Sequence, residues 1–241
     1  MSGQKVRLKI QRRENELAIN LTPKLENDYP QYVKAIEKSV QIFPSSVGRL
    51  GYIHYWSGGR LAHEVFEPAV LSEKMVHTEG LIIDLRDGYG ANSYEDLDML
   101  YRPPLGYPKL LTIERSGKKN LEQDYYDKPV VVLINRGSRS GKELLAAGLK
   151  SSGRAKLVGE NTAGFVLAGR LYPIDDRTAL YVAVDDIYVG GERLEGKGVA
   201  PDIVVPDDSE HPNGFAEQLE MAKKTLIEQI ELTQKSHASA P

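Results

Sequence analysis

The chain contains no cysteine, so disulfides and thiolate catalysis are excluded and nothing in it marks a redox compartment. No apolar run approaches the ~18 residues a membrane-spanning helix takes. The opening MSGQKVRLKIQRR also lacks the apolar stretch of a signal peptide. Neither sign of charge dominates: 31 Lys and Arg stand against 34 Asp and Glu, for a net charge of −3. The basic residues are scattered, which excludes a stripe for nucleic acid and a polybasic membrane patch. Five histidines, at positions 54, 63, 77, 211 and 237, show no paired metal-ligand spacing, so no zinc site is expected. Internal repeats and low-complexity segments are missing too. What is there, 241 residues of which 41% are hydrophobic and 27% charged, fits a soluble globular protein with one large domain, or one domain and a small appendage.

Residues 4–22 read as a hairpin: Val6, Leu8 and Ile10 alternate with polar residues, a charged turn follows, and Leu17, Ile19 and Leu21 alternate again. Two short strands are marginal alone, so they are expected to pack on something else. Beyond them the pattern predicts helices over 32–39 and 64–75, strands over 47–56 and 81–85, and a helix near 94–101. Strands over 130–135 and 155–158 follow, with hairpin strands within 170–195 whose Tyr181, Ala183 and Ile187 are expected in the core. Phe215, Leu219, Leu226 and Ile230 stand at helical spacing in a docked C-terminal helix. Strand-helix-strand units with short loops predict an α/β domain with a largely parallel sheet.

The segment Val130–Lys150, VVVLINRGSRSGKELLAAGLK, carries the chemistry. It delivers Ser140 from a buried strand to the start of a helix, where unpaired N–H groups and the positive end of the dipole steady an oxyanion. Serine is also a favoured helix cap, so the position alone decides nothing. A phosphate-binding loop fails at two places: Arg136 stands where its first glycine belongs, and Glu143 where a hydroxyl would reach magnesium. Asp84 with Arg86 reads as a structural ion pair, Asp175-Asp176 and Asp185-Asp186 as turn residues, and Trp56 as core or pocket wall.

Four motifs in order carry a resemblance: Gly51-Tyr-Ile-His54, LIIDLRDGYG at 81–90, the VLINRGSRSGKE run at 132–143, and GENTAG at 159–164 followed by EGKGVAPD at 195–202. Together they resemble the core of the C-terminal-processing (tail-specific) serine peptidases and their relative, the tricorn core protease. The likeness covers roughly residues 47–206. It implies a ClpP/crotonase-like α/β core over 25–241, and residues 1–24 resemble the last hairpin of a PDZ domain, a remnant packed on the core. It also implies a peptide or unfolded protein as substrate, no organic cofactor or metal, no membrane insertion, and a cell-envelope setting. A homo-oligomer is allowed.

Carried onto this chain, the likeness makes Ser140 rather than Ser138 the nucleophile, with oxyanion amides from Gly141 and from Gly88 or Gly90. The lysine that deprotonates the serine in the Ser-Lys members would fall at position 165, which is Phe165, and a phenyl ring accepts no proton. Lys142 is only two residues from Ser140, a spacing that points the two side chains to different sides. The tricorn-like pattern instead implies His54 as base and Glu195 as its carboxylate. Phe165 and the altered loop Asp87-Gly88-Tyr89-Gly90 keep open a second reading, a non-catalytic member that binds peptides or scaffolds a partner.

Overall fold

The computed structural model describes residues 3–12, 14–24, 28–101, 110–122, 124–206 and 214–238. The chain divides into two compact units, residues 1–31 and 32–241. The first holds the antiparallel hairpin of β1 (Val6–Arg12) and β2 (Asn15–Leu21), paired from Val6 opposite Leu21 to Arg12 opposite Asn15. The division falls within helix α1 (Asp28–Ser39), whose Ile36 is fully buried in the core of the second unit.

The second unit continues with β3 (Gln41–Ser45), β4 (Gly48–His54), α2 (Arg60–Val70), α3 (Glu73–Val76), β5 (Gly80–Asp84) and α4 (Glu95–Asp98). Next come β6 (Leu110–Ile113), β7 (Lys119–Glu122), β8 (Val130–Ile134), α5 (Gly141–Ser151) and β9 (Ala155–Gly159). The remainder is β10 (Ala168–Pro173), β11 (Ala179–Asp185), β12 (Tyr188–Val189), β13 (Glu192–Arg193), β14 (Ile203–Val204) and α6 (Gly214–Ala238). Six strands form the central sheet in the order β14-β9-β8-β5-β4-β3, parallel throughout except where β3 meets β4. This is the α/β architecture with a largely parallel sheet that the strand-helix pattern implies.

Every residue of β5 and β8 is buried, which is why these strands read as unbroken apolar runs: a parallel sheet covered on both faces has no polar side. Alternation sorts their side chains between two cores. Leu81, Ile83, Val130, Val132 and Ile134 face a core with Phe66 and Val70 of α2 and Leu145 and Leu149 of α5. Ile82, Val131 and Leu133 face Ala222, Leu226 and Ile230 of α6, so the C-terminal helix closes the other face. Burial of a side chain such as Leu226 contributes about 1.5–3 kcal/mol.

Several boundaries differ from the expected ones. The helix expected over 64–75 is two helices separated at Leu71 and Ser72. The strand expected over 47–56 is the second arm of a β3–β4 hairpin. The expectation that Tyr181, Ala183 and Ile187 are core residues is overturned: Tyr181 is 64% exposed, Ala183 is exposed and Ile187 only half-buried. The strand of Tyr181 and Ala183, β11, pairs with β10 alone. Alternation there marks a two-stranded ribbon with both faces open.

Candidate active site

The carboxyl ends of the parallel strands gather on one rim of the sheet, the place where ligands bind in open α/β sheets. His54 ends β4, Asp84 ends β5, and the serine turn follows β8. In that turn Ser138 is fully buried. Its hydroxyl donates to Leu85 O at 2.9 Å and accepts the Asn135 N–H at 3.1 Å, so it ties two strand ends together. Ser140 is half-buried and stands at φ 57°, ψ −131° as the residue before α5. A side chain held there costs on the order of 1–3 kcal/mol, and such turns present a nucleophile at the head of a helix.

Glu143 makes this backbone possible. Its carboxylate is fully buried and accepts four hydrogen bonds. Oε2 takes the N–H groups of Ser140 at 3.1 Å and Phe165 at 2.9 Å. Oε1 takes the Thr162 hydroxyl at 2.5 Å and the Gly164 N–H at 2.7 Å. The Ser140 N–H also donates to Phe165 O at 2.9 Å. One side chain therefore clamps the serine turn to the 162–165 turn. A serine followed three residues later by glutamate is the capping-box spacing, the signal that could have assigned Glu143 a role from the sequence.

Ser140 opens on a cavity of about 630 Å³ whose walls include Gly90, Phe165, Leu171, Tyr181 and Glu195. Phe165, at 65% exposure, and Leu171 give these walls an apolar part beside the charged Arg139 and Glu195 and the hydroxyl of Ser140. Gly90 lies directly against the serine: a Cβ at Gly90 would come 2.7 Å from Ser140 Cβ and 3.1 Å from Oγ. A Cβ at Gly141 would fall 2.3 Å from Asn92 N, so glycine is demanded by close backbone approach at both positions. Among the described residues no backbone hydrogen bond engages the N–H of Gly88, Gly90 or Gly141, whereas that of Tyr89 donates to Trp56 O at 2.8 Å. Glu195 Oε2 accepts the N–H groups of Val166 at 2.8 Å and Leu167 at 3.2 Å, fixing the segment after Phe165.

His54 lies elsewhere on the rim. It is 3% exposed, stacked on Trp56 with ring centroids 3.6 Å apart. Its Nε2 bonds Arg86 O at 2.8 Å and its Nδ1 faces Asp84 Oδ2 at 3.7 Å. The parallel register sets His54 beside Asp84, which is why the two meet. Burial lowers the His54 pKa, with the nearby Asp84 carboxylate opposing the shift. Burial works against the Asp84 carboxylate, yet His54 and the Arg86 guanidinium hold its pKa below the usual range. Arg86 is itself buried, pairs with Asp84 at 2.6 Å, donates to Gln218 Oε1 at 2.9 Å and lies over the Phe215 ring. This cluster fastens α6 to the sheet, the structural role read for Asp84 and Arg86.

The residues singled out from the sequence are thus distributed as follows. Ser140, Gly90 and Glu195 share one cavity, Gly141 follows the serine, and Gly88 sits two residues before Gly90 in the same loop. His54 does not line that cavity, and among the described residues no hydrogen bond joins it to Ser140 or Glu195. Lys142 is fully buried, its Nζ donating to Asp87 O, while Ser140 faces the cavity. No cluster of three or more His, Asp or Glu among the described residues could hold a metal ion. Nor is any helix among them long and apolar enough to cross a membrane.

Comparison with known proteins agrees with this architecture. The family model of peptidase family S41 matches residues 49–205. Carboxyl-terminal-processing peptidase 3, chloroplastic, of Arabidopsis thaliana is 32% identical over 185 residues, 71% of this chain and 36% of that protein. Carboxy-terminal processing protease CtpB of Bacillus subtilis is 27% identical over 210 residues, 84% of this chain and 42% of that one. The matched part of the chain thus spans less than half the length of these relatives. Among solved structures, the tricorn protease superposes with TM-score 0.66 at 21% identity, over 95% of this chain and 23% of that one. The photosystem II D1 C-terminal processing protease superposes with TM-score 0.56 at 20% identity, over 90% of this chain and 60% of that one. At those identities the superpositions speak for the fold, and the sequence match speaks for descent: the chain belongs to peptidase family S41.

Proposed function

We propose that the chain is the catalytic part of a serine-type, C-terminal-processing peptidase acting through an acyl-enzyme on Ser140. The observation that carries the reading is the strained turn that places Ser140 at the head of α5, against Gly90, on a cavity large enough for several side chains. In this reaction Ser140 Oγ attacks the scissile carbonyl carbon and loses its proton to a base. The N–H groups of Gly141 and of the Gly88–Gly90 loop receive the oxyanion. The amine leaves with a proton, and water then hydrolyses the ester. The substrate is a peptide or an unfolded protein segment, and the fold is read as the ClpP/crotonase-like type, with β1 and β2 as the last hairpin of a PDZ-type module.

His54 as base and Glu195 as carboxylate complete this proposal. Its lowered pKa keeps the His54 imidazole neutral near pH 7, but to take the serine proton the ring must leave Arg86 O and turn to the cavity. That requirement favours, as the second reading, a peptide-binding member without turnover. Hydrolysis of a fluorogenic peptide by the wild type, Ser140→Ala and His54→Ala separates the two. The peptidase reading expects turnover in the wild type alone. Peptide binding without turnover in all three would establish the binding module instead, and full activity of His54→Ala would remove His54 from the site.

A further inference from the structure

We propose that Lys142 is a positioning residue of the site: from beneath the glycine loop it holds the Asp87 carbonyl and so aims the Gly88 N–H as an oxyanion donor. The inference rests on the peptidase reading above.

Lys142 is fully buried at the second position of α5. A lone ammonium in such a place is costly, and an apolar side chain of equal length would fill the space at less cost. Among the described residues the charge has one direct partner, since Nζ donates to Asp87 O. It also lies close under the next residue, for a Cβ built on Gly88 would come 3.1 Å from Nζ and 2.0 Å from Trp56 O.

The peptide it touches has an unusual shape. Asp87 stands at φ 51° and Gly88 at φ 72°, a left-handed pair that needs outside support. Asn135 supplies half of it: Oδ1 accepts the Asp87 N–H at 3.1 Å and Nδ2 donates to Asp87 Oδ1 at 3.1 Å. Lys142 supplies the other half at the carbonyl. A trans peptide is planar, with C=O and N–H on opposite edges. A carbonyl turned to Lys142 therefore sends the Gly88 N–H away from it, and no backbone hydrogen bond among the described residues engages that N–H. The next two residues, Tyr89 and Gly90, line the cavity with Ser140. A flip of this one peptide would present an oxygen where the reaction needs a donor.

Four charged or titratable groups face the ammonium: Asp84 at the end of β5, Asp87 in the loop, Arg139 in the serine turn and His54 at the end of β4. Burial is the main cause that pushes the Lys142 pKa down to about 7, with Asp84 and Asp87 opposing and Arg139 reinforcing. The hold on Asp87 thus weakens as pH rises through about 7.

The test is the pH profile of kcat/KM and of fluorophosphonate inactivation for wild type and Lys142→Met. A parallel ¹⁵N NMR titration follows the Gly88 amide in Ser140→Ala. The wild type is expected to lose activity on the alkaline side with a midpoint of about 7. Lys142→Met should fold, lack that limb, and lose about 10²–10³-fold in kcat with KM little changed, the cost of one oxyanion donor. A merely structural lysine would leave the limb in place. Wild-type rate and profile in Lys142→Met would overturn the inference, as would a Gly88 amide that ignores the Lys142 titration. If wild-type Ser140 neither turns over nor labels, the peptidase reading fails and the oxyanion role falls with it. The NMR arm still decides the hold on Asp87, a Gly88 signal that follows Lys142 supporting it and one that does not refuting it.

Discussion

Replacing Glu143 by Gln probes the clamp behind the serine turn with an almost isosteric change. The carboxylate accepts four hydrogen bonds, two at each oxygen. An amide keeps one oxygen and puts an NH2 where the other stood. The less damaging orientation turns the NH2 toward Thr162 and Gly164, because the Thr162 hydroxyl can rotate to accept, although it already accepts the Val199 N–H at 2.7 Å. The Gly164 N–H is then buried against another donor, at about 1–3 kcal/mol. The two bonds kept by the remaining oxygen lose their charge assistance, about 1 kcal/mol each. The sum is about 3–5 kcal/mol, a large part of a typical domain's stability. Urea unfolding at neutral pH should show it as a lowered midpoint at an unchanged slope. A Glu143→Gln protein within about 1 kcal/mol of wild type would refute the role of Glu143 as a clamp.

Three further outcomes follow from the same geometry. Gly90→Ala should abolish Ser140 reactivity with modest loss of stability, because the new methyl would stand 2.7 Å from Ser140 Cβ; active-site labelling beside a thermal melt checks both halves. Ser138→Ala removes two buried hydrogen bonds and should cost about 1–3 kcal/mol in chemical denaturation while Ser140 stays reactive. Asp84, whose pKa is depressed in the fold, contributes stability that is present above about pH 4 and lost as pH falls through its lower folded value. Asp84→Asn should flatten that acid limb of the unfolding curve, and an unchanged limb would dissociate the carboxylate from it.

The parts of this fold that were legible in the sequence are those with a strong period or none. Val130–Ile134 and Leu81–Ile83 read as strands because both faces of the sheet are covered. Strand β3 was missed because Pro44 interrupts it, which an edge strand tolerates where the proline faces no partner on its outer side. The two residues of β14 are too few for any period. Tyr181 and Ala183 misled because alternation looks the same whether or not anything covers the ribbon. At the site, the resemblance named Ser140, Gly88 or Gly90, and Glu195, and the structure lines one cavity with Ser140, Gly90 and Glu195. The sequence could not foresee that parallel register sets His54 beside Asp84, since pairing register is a property of two strands. The buried reach of Lys142 to Asp87 depends on a loop 55 positions distant in sequence.

The central claim is that Ser140 is a reactive nucleophile. Its most direct test is fluorophosphonate labelling of the intact chain, read by mass spectrometry with the modified residue located after digestion. Stoichiometric, time-dependent labelling of wild type at Ser140, with none in Ser140→Ala and retained labelling in Ser138→Ala, is the predicted result. A folded wild type that takes up no label, or a label that persists in Ser140→Ala, would contradict it.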